Sequence, residues 1–309
     1  MLRAAIDIGS NTFRMLIAQQ AADRPWETIY YTHRIVRLGE GLHHTGRLSD
    51  TGIERAVTAM SEFSDIIRSH DLSTSDTTAV ATAAMREATN GEELRQRILD
   101  ETGINIRVIN GDAEAGLSLA GASAVLHAET RHDMLLFDIG GGSTEFVRAA
   151  NGNLCDAISR KLGVVRLVEA HLDSDPPSIP DYQAMLQTAN THLAGVEEHW
   201  GDGRIPAHLV GTAGTVTTLA AVHLNLHPYV AERINNHTIT AHEFFMLRDH
   251  LLSLTHTQRQ ALPSIEQGRA DLLVAGLAII EAIFHRWNYL EMSVVDAGLL
   301  EGAWLKSID

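Results

Sequence analysis

The apolar positions of this chain fall into two successions of short strands and longer helices, and the second restarts the pattern of the first. LRAAIDIGS, TFRMLIAQ and WETIYYTHRIVRLG read as three consecutive strands, with turn residues between them that suit hairpins. In SDTGIERAVTAMSEFSDIIRSH the period changes. Ile53, Val57, Met60, Phe63 and Ile67 share one helical face, and Ser49 or Asp50 stands where a cap is needed. TTAVATAA predicts a strand, GEELRQRILDETG a helix stopping at Gly103, INIRVIN a strand, and GDAEAGLSLAGASAVLHAE a helix rich in small residues.

The restart is explicit when AAIDIGSNTFRMLIAQ is set beside LLFDIGGGSTEFVRAA. Both run from an apolar stretch through Asp-Ile-Gly and a small polar turn to Thr and a second apolar strand, which makes Asp7 and Asp138 equivalent positions. Two such copies imply duplicated α/β domains rather than a short-period solenoid. With no Pro/Gly linker at the junction, the expected domains are residues 1–126 and 127–309. YQAMLQTANTHLAGVEEHW, HEFFMLRDHLLSL and ADLLVAGLAIIEAIFHRW supply helices to the second half, and AHLVGTAGTVTTLAAV reads as strand, glycine turn and helix.

Composition narrows the class. The chain has 309 residues, 45% hydrophobic and 20% charged, enough for a sizeable core and ordinary for a soluble protein. Asp7 interrupts what would be the apolar core of a secretory signal, and LLVAGLAII is far too short to span a bilayer. Cys155 is the only cysteine, so neither a disulfide framework nor a thiolate zinc site is available. These features fit a cytoplasmic enzyme with no membrane partner. The formal charge of −15 argues against nucleic acid as a partner. It leaves phosphate substrates open, since screening lets local arginines govern a cleft. The histidines of LHH (42–44) and RHD (131–133) read as solvated loop positions.

A strand that delivers Asp-Ile-Gly into a glycine turn exposes backbone N–H groups with no side chain in the way. Such a nest suits phosphate oxygens, and the acid at its base suits a hydrated divalent cation. The candidate phosphate ligands are Gly9, Ser10, Asn11 and Thr12 in the first turn, and Gly140, Gly141, Gly142, Ser143 and Thr144 in the second. Gly211, Thr212, Ala213, Gly214 and Thr215 form a third. Asp7 and Asp138 are the candidate metal ligands, although both could simply end strands as turn formers. Neither a P-loop nor a dinucleotide fingerprint occurs. Glu114, in the first turn of its helix, could be a dipole-complementing carboxylate in a capping box. Glu145 could be an exposed strand acid, and Arg86 a surface arginine at a helix start.

DIGSNT, DIGGGST and GTAGTVTTLAA together resemble the actin, Hsp70 chaperone and sugar kinase superfamily. Within it, ATAAMREATN, INGDAEA, FDIGGGSTE, KLGVVRL and GRADLLVAGLAII are similar, in order, to segments of the exopolyphosphatase and guanosine pentaphosphate phosphatase family. The resemblance implies two duplicated ribonuclease H-like (actin-like) α/β domains with a cleft between them. It implies a Mg²⁺-dependent phosphohydrolase acting on inorganic polyphosphate or on pppGpp, and it allows a monovalent cation such as K⁺ and a homodimer. It makes Glu114 the general base, Glu145 the second catalytic carboxylate and Arg86 a phosphate ligand, with Arg14, Arg37, Lys161, Arg166 and Arg269 as weaker candidates. Nearby phosphate would raise a carboxylate's pKa, and such a base contributes about 10²–10⁴ in rate. Long members of the family continue into a helical domain with a His-Asp motif, whereas this chain ends at Asp309, so short polyphosphates or pppGpp are expected over long polymers. An ATP-dependent kinase, or a nucleotide-dependent binding protein on the same fold, is the more distant alternative.

Overall fold

Alternation along β1 (Arg3–Ile8) sorts its side chains between two apolar clusters: Ala4, Ile6 and Ile8 join one, Ala5 the other. The computed structural model of the chain describes residues 2–201 and 203–306. The remaining strands are β2 (Thr12–Gln19), β3 (Glu27–Ile35), β4 (Thr77–Ala81), β5 (Ile106–Val108), β6 (Asp133–Ile139), β7 (Thr144–Ala150), β8 (Asn153–Arg160), β9 (His208–Thr212), β10 (His237–Thr240) and β11 (Glu291–Val294).

The two sheets repeat one plan. The first runs β3-β2-β1-β4-β5 and the second β10-β11-β9-β6-β7-β8. In each, two antiparallel hairpin pairs lead from the central strand to one edge (β1, β2, β3; β6, β7, β8). Parallel pairs lead the other way (β1, β4, β5; β6, β9, β11), and β10 adds an antiparallel edge to the second sheet. The Asp-Ile-Gly turns therefore occupy the same place in each sheet, at the end of its central strand.

The chain divides into two compact units, one running to Ala124 and resuming at Gly298, the other spanning Val125–Ala297. The second unit thus differs from the expected 127–309 at its end, because helix Leu299–Leu305 folds back onto the first unit. Its glycines explain why. A Cβ on Gly302 would stand 1.9 Å from the Leu117 carbonyl oxygen, and one on Gly121 would stand 2.0 Å from that of Gly298. Helix Gly111–Val125 and the closing helix approach backbone to backbone, which the small residues in AGLSLAGAS permit. Leu117, Leu300, Ala303 and Trp304 then cover the sheet face that carries Ala5 and Val80.

Helices Asp50–Ser69 and Gly91–Thr102 cover the opposite face. Ser49 caps the former through Gly52 N–H, settling the choice between Ser49 and Asp50. Gly103, in the left-handed region at φ 75°, ends the latter. One expectation is corrected. The strand in TTAVATAA stops at Ala81, since Ala83 and Ala84 open helix Ala83–Glu87. KLGVVRL leads into helix Val164–His171, whose start is fixed from afar, as described below. In the second unit, helices Ile179–Trp200 and Ala270–Trp287 bury Met185, Leu193, Ile279 and Ile283 against Phe137 and Phe146 of the sheet. Among the described residues no helix is long and apolar enough to cross a membrane.

Candidate active site

Each glycine turn is held shut by its own backbone. Gly9 N–H donates to the Thr12 carbonyl at 3.2 Å and Gly140 N–H to the Ser143 carbonyl at 2.9 Å. A Cβ on either glycine would meet that same carbonyl oxygen, at 2.9 and 3.0 Å respectively. These two glycines are thus demanded by the tightness of the turn itself.

The other carbonyls of the turns are tied back by a following segment. In the second unit the amides of Val164 and Val165 bond the carbonyls of Gly140 and Gly141, and Arg166 Nε donates to that of Gly142 at 2.7 Å. Gly163 lies against the turn, and its Cβ would stand 2.2 Å from the Gly141 oxygen. In the first unit Val36 and Arg37 bond the Asn11 carbonyl, and Gly39 that of Ser10. With their carbonyls engaged, the amides of Ser10, Asn11, Gly141 and Gly142 donate to no group among the described residues. Both turns are therefore amide-rich nests suited to anion oxygens.

The third turn has a different construction. Gly211 lies within β9, and Phe137 and Val216 fill the space beside it, so this glycine serves packing. Thr212 Oγ1 donates to the Ala297 carbonyl. Ala213 holds φ 71°, a left-handed conformation that a non-glycine residue adopts only at a cost. The Arg269 guanidinium lies directly on Gly214, where a Cβ would stand 1.9 Å from Nη1, and its Nε donates to Glu266 at 2.7 Å. Thr215 packs on Gly276.

The acids fall into two groups. In the first unit Asp7 lies opposite Arg14 across the β1–β2 pair, and Arg14 Nε and Nη2 both donate to Asp7 Oδ2, at 2.9 and 2.6 Å. Burial, the largest single effect, opposes the Arg14 charge, but Asp7 with smaller parts from Tyr31 and Glu301 together outweigh it and hold the guanidinium above its ordinary value. Asp7 Oδ1 is buried with no hydrogen-bond partner among the described residues, an oxygen that fits a hard cation. By alternation Asp7 shares the sheet face of Ala5, the face that helix Gly111–Val125 covers.

Glu114, at the N-terminal end of that helix, is buried. Asn110 Oδ1 accepts from Ala113 N–H, which fixes Asn110 as the cap and puts Ala113, not Glu114, at the capping-box position. The Glu114 side chain turns instead to Arg86, whose Nη1 donates to Glu114 Oε2 at 3.1 Å and to the Ile109 carbonyl at 2.8 Å. Arg86 is thus brought to the candidate base itself.

In the second unit Asp138 and Glu145 are directly opposed in the β6–β7 pair, 8% and 1% exposed. Two buried carboxylates at facing positions repel each other, and a divalent cation between or beside them offsets that cost. Glu145 is not an exposed strand acid, and Ser159 Oγ donates to its Oε1 at 2.7 Å. Sequence reasoning missed Ser159. Its only signal was the register, because Ser159 is the residue opposite Glu145 in the β7–β8 pair. Lys161 is exposed, Arg37 sits at φ 52°, and Arg166 braces the turn.

A duplicated actin-like fold with amide nests and buried carboxylates defines a phosphate-handling enzyme class. The comparisons place the chain within it. The model of the Ppx/GppA phosphatase family matches residues 16–309, and the chain belongs to that family. It is 31% identical over 315 residues to exopolyphosphatase 2 of Mycobacterium tuberculosis, covering 97% of this chain and 96% of that protein. It is also 28% identical to a bifunctional 3-dehydroquinate synthase/phosphatase of Fusobacterium nucleatum, of which it spans 47%. Among solved structures it is similar to an exopolyphosphatase from Cytophaga hutchinsonii (TM-score 0.91, 28% identity, 100% of this chain and 99% of that one). It is likewise similar to a Ppx/GppA family member from Aquifex aeolicus (TM-score 0.82, 28% identity, 99% and 96%).

Proposed function

We propose that the protein is an exopolyphosphatase that hydrolyses the terminal phosphoanhydride of inorganic polyphosphate, preferring short chains, with Mg²⁺ as cofactor. The observation that carries this reading is Glu114, a buried carboxylate set one residue past the capping position and held by Arg86. A carboxylate taken out of water at a helix start and not used as a cap is suited to proton transfer. The full-length likeness to a protein named exopolyphosphatase 2 supports the substrate class. A net charge of −15 leaves little positive surface for tracking a long polyanion, which supports short chains.

In the proposed step a water oxygen bonds to the terminal phosphorus while Glu114 accepts the water's proton. The bond from phosphorus to the bridging oxygen breaks, and that oxygen leaves with the electron pair on the shortened chain. The amides of Gly141 and Gly142, and of Ser10 and Asn11, supply donors for phosphoryl oxygens. Glu145, oriented by Ser159, orients water. Asp7, through Oδ1, in the first unit and Asp138 in the second are each a candidate ligand for the metal, which when bound would neutralise charge on the phosphoryl oxygens.

The test is phosphate release from tripolyphosphate, long polyphosphate, pppGpp and ATP, with and without Mg²⁺, by the wild type and Glu114→Gln. Release from short polyphosphate, lost in Glu114→Gln, is expected. Preference for pppGpp would move the substrate to guanosine pentaphosphate. Phosphate transfer from ATP to an acceptor, with polyphosphate inert, would replace hydrolysis by a kinase reaction.

A further inference from the structure

His223 ends helix Ala213–His223 and His237 opens β10, yet their rings meet nitrogen to nitrogen. His223 Nδ1 lies 3.0 Å from His237 Nε2, with the ring centroids 5.1 Å apart and the planes tilted by 53°. Behind His223 stands Glu243, at the third position of helix Ala241–Ser253. Its Oε2 accepts from both the amide and the hydroxyl of Thr240, which holds the carboxylate in place. Its Oε1 lies 3.8 Å from the far nitrogen of His223, Nε2, a small rotation short of a hydrogen bond. Three elements of the second unit thus bring a carboxylate, an imidazole and a second imidazole into line.

Two ring nitrogens this close are bridged either by one proton or by one metal ion. Zinc at about 2.0–2.1 Å from both, at the tetrahedral angle, would set them about 3.3 Å apart, so a slight spreading of the rings admits it. A metal-binding imidazole usually gives its other N–H to a carboxylate, which fixes the tautomer and leaves the ligating nitrogen bare. Glu243 has that place behind His223: a proton on Nε2 leaves Nδ1 bare toward His237. His223 is also the last residue of its helix, where the terminal carbonyls favour a cation. Burial first, then the His223 charge, hold His237 below its ordinary value against the pull of Glu243, which keeps the ring in its neutral, ligating form. The Arg233 charge also acts on His237, but that side chain is exposed and therefore screened.

We propose that His223 and His237 bind a divalent transition-metal ion of the zinc class, with Glu243 as the carboxylate that orients His223. Water completes the tetrahedron. The site differs in place and in chemistry from the acids proposed for Mg²⁺. Asp138 is the register partner of Thr212, the cap of helix Ala213–His223, whereas His223 stands at the other end of that helix, about 15 Å along its axis. Neutral ring nitrogens select borderline metals, while Mg²⁺ keeps to oxygen. The assignment does not depend on the hydrolysis proposed above.

The test reads metal binding without turnover. Tag-free protein with isotope-labelled histidine is stripped with EDTA, desalted and titrated with Zn²⁺ in excess Mg²⁺. His223→Gln and His237→Gln assign the two ring resonances. Both rings are expected to shift along one saturation curve with Zn²⁺, and neither with Mg²⁺ alone. Glu243→Gln should weaken that binding about 10- to 100-fold, the usual effect of losing an orienting partner, and loss of either histidine at least as much. Glutamine can still serve the capping box, so the urea midpoint of Glu243→Gln in EDTA stays near wild type. Its lost affinity then reports orientation rather than folding. Rings unmoved by several equivalents of Zn²⁺, or moving on separate curves, overturn the proposal and leave the shared proton as the only link. Wild-type affinity in His223→Gln or His237→Gln overturns it as well, and wild-type affinity in Glu243→Gln overturns the orienting role. Because no phosphate and no turnover enter, this failure is distinguishable from failure of the release assay.

Discussion

Arg86 Nη1 bridges the Glu114 carboxylate and the Ile109 carbonyl, joining the residue before the Asn110 helix cap to a carboxylate in the first turn of the helix. Arg86 is about one-quarter exposed while Glu114 is buried, so water offsets part of any loss. Arg86→Ala is expected to destabilise by about 1–3 kcal/mol, below the range for fully buried pairs. It should also lower kcat by misplacing the base. A double-mutant cycle with Glu114→Gln, read by urea unfolding and by phosphate release, isolates the pair. Additive effects on both readouts would show that Arg86 acts on substrate rather than through Glu114.

Asp138 facing Glu145 leads to a prediction on the metal. A ligand present at 100 times its dissociation constant stabilises by about 2.7 kcal/mol, so saturating Mg²⁺ should raise the wild-type melting temperature by several degrees. Asp138→Asn removes one hard anionic donor and half of the opposed pair. Its Mg²⁺-induced shift is expected to vanish, without substrate present. An undiminished shift in Asp138→Asn, lost instead in Asp7→Asn, would assign the cation to Asp7 alone.

How far the sequence speaks depends on the range of the interaction. The duplicated hairpins and their Asp-Ile-Gly turns are local, closed by bonds between Gly9 and Thr12 and between Gly140 and Ser143, and their pattern is legible in the chain. Helix Val164–His171 is not. Its β-branched valines suit a strand, and its start is set by carbonyls more than twenty residues away, at Gly140 and Gly141. The return of Leu299–Leu305 to the first unit likewise depends on contacts across most of the chain. At the site the acids could be picked out, Glu114 through family resemblance. Their partners could not, since Arg86 meets Glu114 across 28 positions and Ser159 meets Glu145 through strand register.

Two glycines separate space from chemistry. A Cβ on Gly163 would stand 2.2 Å from the Gly141 oxygen and 2.5 Å from the Gly142 carbonyl carbon. Backbone cannot give way as a side-chain end does, so Gly163→Ala should displace the turn and lower kcat/KM at least about tenfold. Gly116, in helix Gly111–Val125, has nothing within 4 Å of its Cβ position. Gly116→Ala should stabilise by about 0.5–1 kcal/mol with activity kept. If both variants lose activity equally, the turn is not the sensitive element.

His223 Nδ1 and His237 Nε2 lie 3.0 Å apart, close enough to share one proton, and His223 Nε2 is 3.8 Å from Glu243. Burial, then His223, with a smaller part from Arg233, holds His237 below the ordinary histidine value of 6.5, although Glu243 pulls the other way. A histidine depressed in the folded state takes up its proton more readily when unfolded. Its contribution to stability is whole above pH 6.5 and is lost as the pH falls from there toward the folded value. Glu243 is lowered by the Thr240 backbone and side chain in a capping box, so its contribution is whole above 4.5 and is lost only further down. The urea midpoint should therefore decline between pH 7.5 and 5.5, and His237→Gln should flatten part of that decline while leaving the drop below 4.5. His192, also held below the ordinary histidine value, contributes in the same direction. A wild-type midpoint that is constant from pH 7.5 to 5.5 would refute the linkage.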